Sequence, residues 1–218
     1  REIAEKTGGL RPEYNGAQDY DYIFRCTEMA GKIVHIPRVL YHWRVHSAST
    51  ADNPASKLYA YEAGKKAIEG NLARCGEEGT VTLRSDYGFY DVDYKLRGTP
   101  LVSILIPNKD QADTLRTCLE SIKKKCMYPS YEILIIENNS TEEATFSYYK
   151  ELEAQGIHVL KYPKQGFNYS AINNFGVKGA KGEYLLFLNN DMEIITPDFM
   201  EKMVSNLQRP QIGAVGAK

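Results

Sequence analysis

The stretch LVSILIPNKDQADTLRTCLESIKKKCMYPSYEILIIE, residues 101–137, decides the fold. It begins with a short apolar run, 101–107, reads as a helix over 113–126, and ends in a second apolar run, 131–137. Runs of that length and composition are strands buried on both faces, and a helix between two such strands makes a βαβ unit. The rhythm continues downstream. A helix is expected over 141–156, a short strand over 158–163, a helix over 169–180, a strand over 183–188 and a helix over 197–208. The closing GAVGA, 213–217, reads as one more strand. Repeated strand–helix alternation implies an α/β fold, a mostly parallel sheet with helices on both faces and right-handed crossovers.

Upstream, two further zones differ in character. In 1–50, GLRPEYNGAQDYDYIFRCTEMAGK reads as a loop and then a helix carrying Tyr20, Ile23, Phe24 and Thr27, with Gly31 as its C-cap. IVHIP and VLYHWRV then read as short strands broken at Pro37. In 51–98, a helix carries Leu58, Tyr61, Ala67, Ile68 and Leu72 and stops at Gly76. The charged, tyrosine-rich TVTLRSDYGFYDVDYKL, with its Asp-Tyr-Gly, reads as a strand pair. This middle zone is expected to be a structured connector between 1–50 and 99–218.

A chain of 218 residues with 43% hydrophobic and 25% charged residues can bury a sizeable core. Net charge of -1 provides no global basic field for nucleic acid or anionic lipid. Lys123, Lys124 and Lys125 read as a solvated helix end. Cys26, Cys75, Cys118 and Cys126 have no CxxC spacing and no histidine cluster beside them, so reduced cytosolic thiols are expected in place of a zinc site. No apolar run approaches the ~20 residues needed to span a bilayer, and no signal-peptide pattern is read within the sequence. A cytoplasmic protein is expected, with peripheral contact at the inner membrane face as an option. An initial Arg in place of Met, and a closing QIGAVGAK that reads as an unterminated strand, lead us to expect a piece of a longer chain.

In open parallel sheets, ligands bind beyond the carboxyl ends of the strands, near the switch in strand order. Pro107, Asn108, Lys109 and Asp110 follow the first strand; Glu137, Asn138, Asn139 and Ser140 follow the second. Lys161, Lys164, Gln165 and Gly166 follow the third, and Asn189, Asn190 and Asp191 the fourth. Neither GxGxxG nor GxxxxGK[ST] is present, which removes the main support for a dinucleotide site or a P-loop. A cluster of amides around one well-placed carboxylate, Asp191, suits Mg²⁺, which takes one or two carboxylates plus phosphate oxygens and water. Taken singly, Asn138, Asn139 and Ser140 also fit a turn and helix N-cap, Asn190 and Asp191 fit a turn, and Lys109 fits a solvated loop.

VSILIPNKDQADTLRTCLESI, YEILIIENNST and AINNFGVKGAKGEYLLFLNND, in that order, resemble the nucleotide-binding half of family 2 glycosyltransferases, which have the GT-A fold. The resemblance implies transfer of a sugar from a nucleotide-diphosphate sugar to a glycan or lipid-linked acceptor, with inversion and with Mg²⁺ or Mn²⁺, in bacterial surface polysaccharide synthesis. It implies Asp191 as metal ligand and Asn189 at the ribose or a phosphate-bound water. It places Glu137 and Asn138 at the base or ribose, Pro107 and Lys109 in the base pocket, and Asn174 and Gly176 at an Asn-x-Gly that closes the donor site. Glu137-Asn138 replaces the family's usual Asp-Asp, and Asn189 replaces the first Asp of its DxD. These departures are similar to the rhamnosyltransferase-like branch and leave UDP and dTDP open as the donor nucleotide.

The segment GAQDYDYIFRCTEMAGKIVHIPRVLYHWRVHSAST resembles the opposite end of such an enzyme. There Asp19 would be the catalytic base, with Gln18 in place of the usual Glu, and His42, Arg44 and His46 would lie near the diphosphate. Alternatively, Asp19 is a helix N-cap and His42 a strand residue facing a neighbour. Tail thus precedes head: 1–50 would be the acceptor-side end of one module and 99–218 the donor-binding half of the next. Two arrangements follow, a piece of a tandem protein or a permuted domain in which 1–50 docks near Asp191, within one chain or by exchange of halves in a homodimer. The competing class is a truncated nucleotide-binding or scaffolding module without turnover. A nucleotidyltransferase is disfavoured because PNKDQAD has no glycine and one lysine.

Overall fold

A strand covered on both faces carries apolar side chains at consecutive positions, and β3 (Val102–Asn108) is buried throughout except at half-buried Pro107. This is a computed structural model that describes residues 1–42 and 58–217. β3 pairs in parallel with β4 (Tyr131–Glu137), from Val102 opposite Tyr131 to Asn108 opposite Glu137. On its other side it pairs in parallel with β6 (Tyr184–Phe187), from Val102 opposite Tyr184 to Leu105 opposite Phe187. β5 (His158–Lys161) pairs in parallel with β4, giving the order β5-β4-β3-β6. Successive strands therefore run outward from β3 on one side, and the next strand returns to its other side.

Alternation of side chains along β3 divides the core between the two faces. Val102, Ile104 and Ile106 share a cluster with Leu115, Leu119 and Ile122 of α4 (Ala112–Lys125). Leu152 of α5 (Glu143–Ala154) and Met200 and Val204 of α7 (Phe199–Leu207) complete that cluster. Leu105 faces the other way, where it joins Ile136, Tyr162 and Ile172 of α6 (Tyr169–Val177). Gly176 lets α6 approach the sheet: a Cβ there would lie 2.8 Å from Ile136 Cγ1 and 2.9 Å from Leu105 Cδ2. Gly182 does the same for the turn into β6, where a Cβ would lie 2.5 Å from the Ser103 backbone nitrogen.

The chain clusters into two units, Arg1–Lys95 and Leu96–Lys218, the second holding this sheet. The first contains α1 (Glu2–Thr7), a 3₁₀ turn (Pro12–Tyr14), α2 (Gln18–Met29) and α3 (Leu58–Arg74). An antiparallel hairpin follows, β1 (Gly79–Leu83) with β2 (Tyr90–Tyr94). Ile68, Leu72 and Val81 form its core with Phe24, Tyr90 and Val92. Arg74 Nε donates to Glu28 at 2.8 Å and Asn71 Nδ2 donates to the same carboxylate at 2.7 Å, joining α3 to α2. The expected helix of the connector therefore packs in one unit with the helix that precedes it. Gly76 has φ 69° and ends α3, with the Glu77 N–H donating to the Leu72 carbonyl at 2.9 Å.

Three expected features are absent. Residues 33–37 and 39–42 form no strand, and the remainder of VLYHWRV lies outside the described residues. Among the described residues no segment pairs with 33–42, so its backbone gains no ladder. Its Ile33, Val34, Ile36, Val39 and Leu40 are 56–79% exposed. Residues 213–217 are likewise not a strand, because no described strand extends the sheet beside them. Gly31 is not the cap of α2, which ends one residue earlier at Ala30 in an extended conformation. No helix among the described residues is long and apolar enough to cross a membrane.

Candidate functional site

The carboxyl ends of β3 and β6 lie side by side where strand order reverses, which is where an open parallel sheet binds ligands. A pocket of about 460 Å³ opens there, lined by Pro107, Phe167, Tyr169, Asn189, Asn190 and Asp191. Asn189 and Asp191 are exposed in the turn that follows β6. No hydrogen bond or ion pair among the described residues engages the Asp191 carboxylate, so it is available to a ligand.

The turn is built by its neighbours. The Leu188 N–H donates to the Leu105 carbonyl at 3.0 Å, extending the ladder one residue past β6. Asn190 Nδ2 donates to Asn108 Oδ1 at 2.7 Å. The Ile194 N–H donates to Ser121 Oγ at 2.9 Å, and Lys125 pairs with Glu193 at 3.0 Å. Cys118 lies beneath the turn, 3.7 Å from the Asn189 carbonyl; burial, with Asp191 nearby, pushes its thiol up to about 11. It is a protonated packing group, in keeping with the helix-face thiol expected there.

The β4 end is more enclosed. Glu137 and Asn138 are each 3% exposed. Glu137 Oε1 accepts from the Ser140 N–H at 2.6 Å, and Asn138 Oδ1 accepts from Asn139 Nδ2 at 2.8 Å. Both side chains close their own turn, in line with the turn reading of Asn138, Asn139 and Ser140. Asn139, at φ 59°, also donates through Nδ2 to the Lys164 carbonyl at 2.9 Å and tethers the loop that carries Phe167. Asp110, at φ 52°, accepts from the Thr141 and Glu142 N–H groups at 2.7 and 2.9 Å. Those bonds, Glu142 foremost, hold its carboxyl below the usual carboxylate range. It holds the turn that leads into α5 to the end of β3.

Pro107 and the Asn189–Asn190–Asp191 turn thus meet in one pocket. Lys109 is exposed just beyond β3, and Asn174 is exposed on α6. Gly176, beside Asn174, is a packing residue against the sheet. In the other unit Asp19 is exposed in the first turn of α2, where the N-cap is Ala17 and Asp19 Oδ1 accepts from the Tyr20 N–H at 2.9 Å. Its neighbour Asp21 is fully buried between Arg11 and Arg25, with Arg25 Nε at 3.0 Å. His42 is exposed, and Arg44 and His46 lie outside the described residues.

Phe167 and Tyr169 were not among the expected site residues. They follow Gly166 in the loop after β5, and Phe167 is 75% exposed, unusual for a phenyl ring. An aromatic pair in a loop at a strand's carboxyl end was the available signal.

No group of three His, Cys, Asp or Glu able to cage a metal ion occurs among the described residues. The pocket wall holds one carboxylate, Asp191, among amides. That donor set does not hold a cation alone, but it fits Mg²⁺ or Mn²⁺ bound mainly through diphosphate oxygens.

Comparison with known proteins gives a consistent picture. Residues 103–218 match the family described as Glycosyl transferase family 2. The O-antigen biosynthesis protein RfbC of Myxococcus xanthus is 43% identical over the whole of this chain, which covers 17% of that protein. Protein y4gI of Sinorhizobium fredii is 39% identical over 99% of this chain and 24% of its own length. This chain therefore spans about a fifth of these relatives. A Pyrobaculum calidifontis mannosyltransferase, solved with GDP-mannose and Mn²⁺, is 17% identical with a TM-score of 0.47, covering 73% of this chain and 44% of that one.

Proposed function

Because the chain belongs to glycosyl transferase family 2, we propose that Leu96–Lys218 binds the nucleotide-diphosphate sugar donor of a polysaccharide-building glycosyltransferase. The observation that carries this reading is the pocket at the switch point of the parallel sheet, whose lining combines an uncommitted Asp191 with Pro107, Phe167 and Tyr169. Asp191 is the ligand for a divalent cation, which when bound neutralises charge on the departing diphosphate. Asn189 bonds the ribose or a phosphate-bound water, and Asn174 closes the donor side. Lys109 lies at the base pocket with Pro107. Glu137 and Asn138 reach the base or ribose once ligand binding reopens their turn. UDP and dTDP are the candidate donor nucleotides, and the acceptor is a glycan or lipid-linked glycan.

For the glycosyltransferase module whose acceptor-side end is 1–50, we assign the general base to Asp19, exposed in the first turn of α2. Its carboxylate takes the proton of the acceptor hydroxyl as that oxygen bonds to the anomeric carbon. The bond from that carbon to the diphosphate oxygen breaks, and attack from the face opposite the leaving group inverts the configuration. His42, Arg44 and His46 would lie near the diphosphate of that same module. The named relative in O-antigen biosynthesis supports a surface polysaccharide as the product class.

Titration calorimetry with UDP and dTDP, with and without Mn²⁺, tests the donor reading. Binding that strengthens with Mn²⁺ and loses that gain in Asp191→Ala supports it; equal binding in the variant removes Asp191 from the role. Metal-dependent binding with no transfer to any acceptor favours a binding module without turnover. If Asp19 is the base, Asp19→Asn abolishes transfer and leaves nucleotide affinity unchanged.

A further inference from the structure

We propose that Asn108 is a positioning residue that sets the Asp191 turn for metal-diphosphate binding, a role that rests on the donor reading above. Asn108 ends β3 and is 2% exposed. A buried amide is stable only when its polar atoms are partnered, and here each finds a different element. Its Oδ1 accepts from Asn190 Nδ2 at 2.7 Å, in the turn after β6. Its Nδ2 donates to the Tyr149 hydroxyl of α5 at 2.7 Å and to the Asp110 carbonyl at 2.9 Å. The carbonyl acceptor at Asp110 settles which end of the amide is which, since a flipped amide would set two oxygens against each other. Tyr149 is buried and lies 3.4 Å from Ser140 Oγ, which itself accepts from the Asp110 N–H at 2.9 Å. The loop after β3, the turn after β6 and the side of α5 thus converge on one side chain, and Ser140 after β4 joins the network through Tyr149 and Asp110.

The consequence falls on Asp191. Leu188, Ile194 and Glu193 are held to β3 and α4 by the contacts described above, but these lie outside Asn189, Asn190 and Asp191 or beyond them. Cys118 Sγ makes a long sulfur contact, 3.7 Å, to the Asn189 carbonyl, whereas the 2.7 Å Asn108–Asn190 bond ties the residue next to Asp191 to the end of β3. A ligand carboxylate displaced by about 1 Å loses much of its value, so the bond acts on the cation through geometry without touching it.

The test uses Asn108→Ala and Asn190→Ala, the second breaking the same bond from the half-exposed side in case the first disturbs folding. Amide hydrogen exchange of 189–192 is expected to accelerate about tenfold or more in both variants, with β3 and β4 protection unchanged. Calorimetry with UDP held saturating is expected to show apparent Mn²⁺ affinity falling roughly tenfold in each. The double variant is expected to lose no more than either single, because one bond is shared. Asn108→Asp, which keeps the acceptor for Asn190, is expected to recover part of the affinity. Unchanged exchange at 189–192, or faster exchange beside unchanged Mn²⁺ affinity, overturns the proposal. A wild-type chain that binds UDP and dTDP without regard to Mn²⁺ overturns the donor reading instead, whatever the variants do.

Discussion

Phe167 lines the pocket yet stands three-quarters exposed to water. A phenyl face in that place is useful to a ligand with a flat or apolar face of its own, such as a nucleobase or one side of a pyranose. Phe167→Ala is expected to weaken donor-nucleotide binding about three- to tenfold by calorimetry, since aromatic pairs contribute roughly 0.5–1.5 kcal/mol. Phe167→Tyr is expected to retain most of it. Residues with the same sequence character have different fates across the site. Asp191 has no partner among the described residues, whereas Asp110 spends its carboxylate on the Thr141 and Glu142 N–H groups that lead into α5. Both follow a strand and both read alike in one dimension.

At the scale of elements, α6 positions the aromatic loop. Asn168 Oδ1 accepts from the Ala171 N–H at 3.0 Å, capping α6 immediately between Phe167 and Tyr169. Helix and sheet come close because Gly176 has no side chain. Gly176→Ala places a methyl against Ile136 and Leu105, both immobile in the core, and is expected to destabilise by about 1–3 kcal/mol in denaturant unfolding. Asn174, which shares the family's Asn-x-Gly with it, is expected to affect ligand binding and not stability. The strand–helix alternation of 99–218 was legible because near-continuous apolar strands and intervening helices are local patterns. Residues 33–42 were misread for the complementary reason. Ile-Val-His-Ile-Pro has strand composition, but a strand exists only where another pairs with it, and composition does not report the neighbour.

At the scale of the whole molecule, each unit depends on its own buried polar centre. In Arg1–Lys95 this is Asp21, whose burial alone would push its carboxyl up. Hydrogen bonds from Arg11 and Arg25 outweigh that and hold it below the usual range. Arg25 also donates to the Thr7 and Gly9 carbonyls, joining α1 and the following loop to α2. A carboxyl whose folded pKa lies below its unfolded value stabilises fully above the unfolded value, about 4. That contribution is lost as pH falls through the folded value. Thermal melts of the chain are therefore expected to drop as pH falls below about 4. Arg25→Met is expected to cost on the order of 3 kcal/mol at pH 7, because it leaves buried charge less compensated.

Sequence by itself determined the class of fold, the order of its strands and helices over 101–208, and the family, because these depend on local periodicity and on motifs in fixed order. It also singled out Asp191, a carboxylate ending an apolar strand. Tertiary structure decided which polar residues remain available. Parallel pairing on both sides of β3 brings Pro107 beside the Asn189–Asp191 turn across 80 residues of chain or more. The same pairing buries Asn108 and Glu137, whose side chains satisfy neighbouring backbone and side-chain donors, and Asp110 is taken up by the turn into α5. Whether a polar group at a strand end serves the fold or a ligand depends on which hydrogen-bonding partners surround it, and those come from segments distant in sequence.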